Sequence, residues 1–170
     1  MKEHPLVQLA RQTIAAYLID KKILKPPVEL IPEMKERAGV FVSLHRKGAL
    51  RGCIGTFAPT TDNVAQEIIR NAIEASTRDP RFAPMAADEL EDLEISVDVL
   101  ASPEKVSSKK DLDAKEYGVI VKSGSRRGLL LPNLPGVNTP DEQINICRQK
   151  AWIDEHDPIE LFRFKVRRFH

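Results

Sequence analysis

Val40-Phe41-Val42-Ser43-Leu44-His45-Arg46-Lys47-Gly48-Ala49-Leu50-Arg51-Gly52-Cys53-Ile54-Gly55-Thr56 reads as two strands around a turn. Val40 to His45 alternates in a β-rich composition, Lys47-Gly48 reverses the chain, and Leu50 to Thr56 runs back. On either side the spacing becomes helical. Before the hairpin, Leu6, Leu9, Thr13, Ile14, Tyr17 and Leu18 recur at three and four residues and predict a helix from Pro5 to about Lys22. Lys25-Pro26-Pro27 breaks it. After the hairpin, Val64, Ile68, Ala72 and Ala75 form one stripe of a helix over 61–77, with Asp62 near its cap. Ile95, Val97 and Val99 then alternate with Glu94, Ser96 and Asp98, a strand with one wet face.

The second half repeats the vocabulary without repeating the sequence. Ser102 to Asp113 is a polar connector and the best place for a lobe boundary within one domain over 1–170. Val119–Val121 and Leu129–Leu131 flank a basic turn and read as a second hairpin. Thr139-Pro140-Asp141-Glu142 joins a capping box to a proline at the first helical position. Phe162, Phe164 and Val166 alternate with Arg163, Lys165 and Arg167 as one last strand. The order is α-β-β-α-β followed by β-β-α-β, which makes the class α+β, with helices packed on mostly antiparallel sheet.

Composition excludes several function classes. The 170 residues suffice for a core without staples. Cys53 and Cys147 are too few and too far apart for a disulfide framework or a CxxC zinc site, which fits a reducing, cytoplasmic setting. The longest charge-free stretch, Gly128 to Pro140, is interrupted by three prolines, so no membrane span is expected. Net charge is +1, but the charges are segregated. Residues 38–61 carry Arg46, Lys47 and Arg51 and no acid, whereas 62–104 carry 11 acids against 3 bases. Basic stretches could attract nucleic acid. Near-neutral charge and 5% aromatic residues argue against that, and solvated faces account for most of the pattern.

Leu50-Arg51-Gly52-Cys53-Ile54-Gly55 is where chemistry could sit. Glycines flanking a thiol inside a strand mark a bulge or a close backbone approach. A nearby cation would favour the thiolate. Register decides which partner can help. A two-residue Lys47-Gly48 loop pairs Val42 with Cys53 and turns His45 away, whereas a three-residue loop pairs Ser43 with Cys53 and puts His45 on the same face. The two-residue loop is the favoured expectation. Against the reading of Cys53 and His45 as a catalytic pair stands that of a small thiol in a tight strand. The second candidate is Arg78-Asp79-Pro80-Arg81-Phe82, either an internal ion-pair clasp or a pair of arginines holding an anion. No GxGxxG, Walker A, HExxH, GxSxG or EF-hand pattern is present. Asp154-Glu155-His156-Asp157 reads as a solvated loop rather than a metal site, and Cys147 as core.

The hexapeptide resembles the signature of the AMMECR-domain family. The likeness extends to Phe41-Val42-Ser43-Leu44, Arg78-Asp79-Pro80-Arg81-Phe82, Leu93-Glu94-Ile95-Ser96-Val97, Tyr117-Gly118-Val119, Arg127-Gly128-Leu129-Leu130-Leu131-Pro132 and Phe162-Arg163-Phe164. The bacterial and archaeal branch that it resembles is the one called AmmeMemoRadiSam system protein A. The resemblance implies two unequal lobes, each a sheet with helices, with the motif near the cleft between them. It implies Arg51, Gly52, Cys53, Ile54 and Gly55, with Arg78, Asp79 and Arg81, as ligand-site residues. It also implies a Memo-like protein and a radical S-adenosylmethionine protein as partners. It names no cofactor, no metal and no settled activity.

Overall fold

His4 opens the first helix by accepting the Leu6 amide on its imidazole Nδ1, and Lys21 closes it in a left-handed conformation. The computed structural model describes residues 2–170. In chain order it contains α1 (Pro5–Asp20), a one-turn α2 (Pro32–Lys35), β1 (Val40–Arg46), β2 (Ala49–Gly55), α3 (Val64–Thr77) and β3 (Leu93–Leu100). Then come β4 (Glu104–Val106), β5 (Gly118–Ser123), β6 (Arg126–Leu130), α4 (Pro140–Ala151), β7 (Glu160–Phe164) and β8 (Val166–Phe169), with 3-10 turns over Ala87–Leu90 and Lys109–Asp111. The class is α+β, as the alternating element types required. The chain divides into two compact units, Met1–Leu100 with Arg167–His170, and Ala101–Val166.

The first unit holds a sheet in the order β2-β1-β3-β8. Val40, Val42 and Leu44 from β1 and Ile95, Val97 and Val99 from β3 are buried beside Leu6, Ile14 and Ile68 of α1 and α3. Each such side chain stabilises the fold by roughly 1.5–3 kcal/mol relative to leaving it in water. Thr13 sits on the apolar stripe of α1 without penalty because its hydroxyl donates to the Leu9 carbonyl at 2.7 Å. Helix α3 begins later than the spacing predicts. Asn63, rather than Asp62, caps it by accepting from the Gln66 amide at 3.0 Å.

The second unit holds a sheet in the order β4-β7-β5-β6, with α4 packed on its hairpin. The capping box forms as expected, with Glu142 Oε2 accepting the Thr139 amide and Thr139 Oγ1 accepting the Glu142 amide. Cys147 is fully buried on the inner stripe of α4, its thiol donating to the Val119 carbonyl. Two strands depart from expectation. β4 lies inside the stretch read as a connector. The single alternating run at the C-terminus is two strands broken at Lys165, with β7 joining the second sheet and β8 the first. Alternation sets which face a residue takes but not which sheet a strand joins.

Candidate functional site

Lys47 and Gly48 both have positive φ, 50° and 79°, so the hairpin turn is the two-residue loop, with Arg46 opposite Ala49 and His45 opposite Leu50. The register then shifts. Leu44 stands opposite Gly52, so Arg51 is the extra residue of a β-bulge, and Ser43 stands opposite Cys53. The turn is the one favoured from sequence, yet the pairing at the cysteine is the one tied to the longer loop. The bulge supplies the missing residue.

This register places Cys53 on the face of β1 that carries Phe41, Ser43 and His45, opposite the face packed on the helices. Ser43 Oγ lies 3.2 Å from Cys53 Sγ, and Ser96 of β3 stands opposite Ser43. Ser96, Ser43 and Cys53 therefore form a row of small polar side chains across three strands, each half-buried. On one side the neighbouring row is Asp98, Phe41 and Gly55, and on the other it is Glu94, His45 and Leu50. His45 thus shares the face of Cys53 but pairs across the ladder with Leu50. Sequence reasoning missed Ser43 and Ser96 as site residues. Period-two alternation already put both on the polar face, but only the bulge aligns them with the thiol.

The glycines of the motif make room. A side chain on Gly52 would meet the backbone carbonyl of Ala75 in α3, so its absence lets the helix lie against the strand. At Gly55 the ring of Phe41 occupies that space.

The edge strand β2 is gripped at the cysteine by the second motif. Asp79, buried just after α3, accepts the Cys53 amide at 3.0 Å, and Arg81 Nη2 donates to the Cys53 carbonyl at 3.2 Å. Arg81 also donates to both Asp79 oxygens, so the pair stands where a neighbouring strand's backbone would. The Arg81 guanidinium holds the Asp79 carboxyl down to about 2, with the Cys53 amide assisting. Arg81 and Arg168 both interact electrostatically with Cys53. Arg78 turns elsewhere and pairs with Glu74 at 2.8 Å.

Arg51 is engaged too. Its guanidinium forks onto Glu89 at 2.8 and 3.0 Å, Arg46 reaches the same carboxylate at 2.9 Å, and the Phe82 ring lies beneath both Arg51 and Arg81. Arg46 and Lys47 also reach Asp92. The basic stretch that faces no acid in sequence is therefore opposed in space by the acidic segment. The Arg51 guanidinium holds the Glu89 carboxyl well below its ordinary 4.5, at about 2.

A pH dependence follows. A carboxyl at about 2 in the fold and near 4.5 when unfolded stabilises the fold fully above pH 4.5 and loses that contribution as the pH falls towards 2. Thermal unfolding of the wild type is expected to be level from pH 5 to 7 and to fall steadily over that acid window. Glu89→Gln is expected to start lower at pH 7 and to meet the wild type near pH 2. Parallel curves for the two proteins across the window would show that Glu89 is not the group responsible.

Among the described residues no three His, Cys, Asp or Glu side chains gather closely enough to hold a metal ion, and no helix is long and apolar enough to cross a membrane.

Comparison with known proteins places this geometry in context. The sequence profile of the AMMECR1 family matches residues 7–169. A protein of Thermotoga maritima is 50% identical over 98% of both chains. A protein of Methanothermobacter thermautotrophicus is 36% identical over 97% of this chain and 92% of its own. A protein of Clostridium acetobutylicum is 50% identical over 98% of this chain, which spans only 36% of that relative's length. In three dimensions the chain is similar to the crystal structure of the uncharacterised protein PH0010 from Pyrococcus horikoshii, with a TM-score of 0.87, 33% identity, and coverage of 99% of this chain and 92% of that one.

Proposed function

The chain belongs to the AMMECR1 family, and from that premise we propose that it is a cytoplasmic binding component whose Ser96–Ser43–Cys53 face receives a ligand or a partner surface. The observation that carries this reading is the engagement of the motif's charged groups. Arg51 is forked onto Glu89, and Asp79 is held by Arg81 and the Cys53 amide. An acid–base reaction or the capture of an anionic substrate would call on these same groups, and each already has a partner within the fold. What the sheet presents instead is a row of short polar side chains across β3, β1 and β2, with the Cys53 thiol at its end. The partners we propose are a Memo-like protein and a radical S-adenosylmethionine protein. A relative in which this sequence makes up 36% of a longer chain is in keeping with a module that works beside other polypeptide.

The test is titration calorimetry of the chain against each purified partner at low salt, where charged surfaces attract most. Binding is expected for the wild type, weakened by Ser43→Arg, which fills the face. Absence of heat with both partners, in both proteins, would sink the proposal.

One observation favours a second reading, an enzyme with Cys53 as nucleophile towards an electrophilic carbon. The thiol has a hydroxyl at 3.2 Å and two guanidinium groups in electrostatic reach. Alkylation rates against pH distinguish the two readings. Cys147 is the internal control, because burial pushes its thiol up to about 12. A Cys53 that reacts at pH 6 at a rate approaching its rate at pH 9 supports the nucleophile. A Cys53 as slow as Cys147 removes it.

A further inference from the structure

Helix α3 presents to solvent a flank that plays no part in the Cys53 face. Together with the end of α1 and the segment that follows, it walls a groove of about 310 Å³. Ile69 and Ile73 form the floor, and Tyr17, Leu24 and Pro26 line the opposite wall with Ile23. The two floor residues are 6% and 7% exposed, whereas Ile23 remains 63% exposed. Ile23 thus lines the recess with most of its side chain still in water.

The rim is charged in one sense. Arg70, Arg78 and the half-buried Glu74 line the groove, and Lys21, Lys22 and Lys25 stand exposed in the adjoining segment, with Asp20 as the one exposed acid at the end of α1. Glu74 is already paired with Arg78, and Arg70 donates to the Thr60 hydroxyl at 2.7 Å. Lys22 and Lys25 are exposed in the segment after α1 that also supplies Ile23, Leu24 and Pro26 to the groove.

From the apolar floor and the basic rim we infer that this groove docks an acidic amphipathic segment of a partner protein. Apolar side chains at three- and four-residue spacing enter the recess, and the carboxylates meet the exposed Lys22 and Lys25. Helix-in-groove recognition uses this combination of an apolar recess and a complementary charged border. A bilayer would be drawn to the same charges, but it cannot follow side chains down to a recessed floor. A nucleic acid would need stacking surfaces, and the floor is aliphatic.

The experiment is selection from a displayed library of random peptides, roughly 16 residues long and so able to form about four helical turns, on the full chain. The enriched sequences are then measured by fluorescence anisotropy. Two surface variants, Ile23→Ser and the double variant Lys22→Glu/Lys25→Glu, alter exposed side chains and leave the core intact. The inference expects peptides that are net acidic with helically spaced apolar residues, and a loss of at least about tenfold in affinity with either variant. It is overturned if nothing is enriched above a bare-resin control, or if the enriched peptides show no acidic bias. It is overturned equally if both variants bind as the wild type does. Binding to phosphatidylserine vesicles that both variants abolish would instead assign the patch to a membrane surface and overturn it.

Discussion

Replacing Glu67 with alanine is expected to lower the unfolding free energy by about 3–5 kcal/mol, because several hydrogen-bond donors, at about 1–3 kcal/mol each when left unsatisfied, lose their shared acceptor. Glu67 lies on the inner side of α3 with no exposed surface. Its carboxylate accepts from the Thr56 hydroxyl at 2.8 Å, from the Thr60 amide and hydroxyl, and from the Thr61 amide at 2.7 Å. Burial pushes this carboxyl up, but the hydrogen bonds from Thr56, Thr60 and Thr61 outweigh it and hold the group below its ordinary value. Oriented dipoles from Thr56, Thr60 and Thr61 thus stabilise the charge. The loop after β2 is built around it, and Thr56 shares its hydroxyl with Asn71, which also holds the Val40 carbonyl. Removing the carboxylate leaves these donors without their acceptor and frees both ends of the hairpin. Glu67→Gln keeps one acceptor but turns a donor towards the amides, so it too should cost about 2 kcal/mol. Denaturant titration of the three proteins measures this. A loss below about 1 kcal/mol for the alanine variant would mean that water replaces the carboxylate.

Gly52→Ala is expected to cost about 3 kcal/mol, at the upper end for overpacking. The added methyl would collide with the Ala75 carbonyl, which is helix backbone and can yield only if α3 shifts as a whole. Two neighbouring glycines calibrate the effect. At Gly55 the obstacle is the ring of Phe41, a side chain rather than helix backbone, so the loss should be smaller. At Gly48 nothing lies within reach, and the cost is the left-handed turn alone, about 1 kcal/mol. Equilibrium unfolding should rank the three variants in that order. If Gly52→Ala is the mildest, helix and strand do not meet as described.

Much of the fold was legible because local chemistry dictated it. The turn at Lys47-Gly48, the box at Thr139 to Glu142 and the alternation in β3 each express a rule that operates within a few residues. The site was legible only as a set of residues. The glycines signal a bulge or a close approach, but nothing local picks out Arg51 as the extra residue, because the pairing of Leu44 with Gly52 depends on how β1, β2 and α3 pack together. The partner of Arg51 is Glu89, 38 residues further on, and the partner of the Cys53 amide is Asp79, 26 residues on. The charge segregation did contain the answer in coarse form: a basic stretch with no acid of its own lies against the acidic segment that follows it. The break at Lys165 was hidden for the opposite reason. The alternation runs through it without interruption, and only the destination of each half differs.

That break also sets an order of events during synthesis. The sheet of the first unit ends in β8, and Arg168 of β8 forks onto the buried Asp98 at 2.8 Å through both of its oxygens. On the ribosome, β3 emerges before all of Ala101–Val166, so the edge that β8 will cover stays bare for roughly 3–13 s at ordinary elongation rates. Through that interval Asp98 carries its charge on an open strand edge, which discourages a stray strand from pairing there. The arriving arginine then turns a guard into a latch.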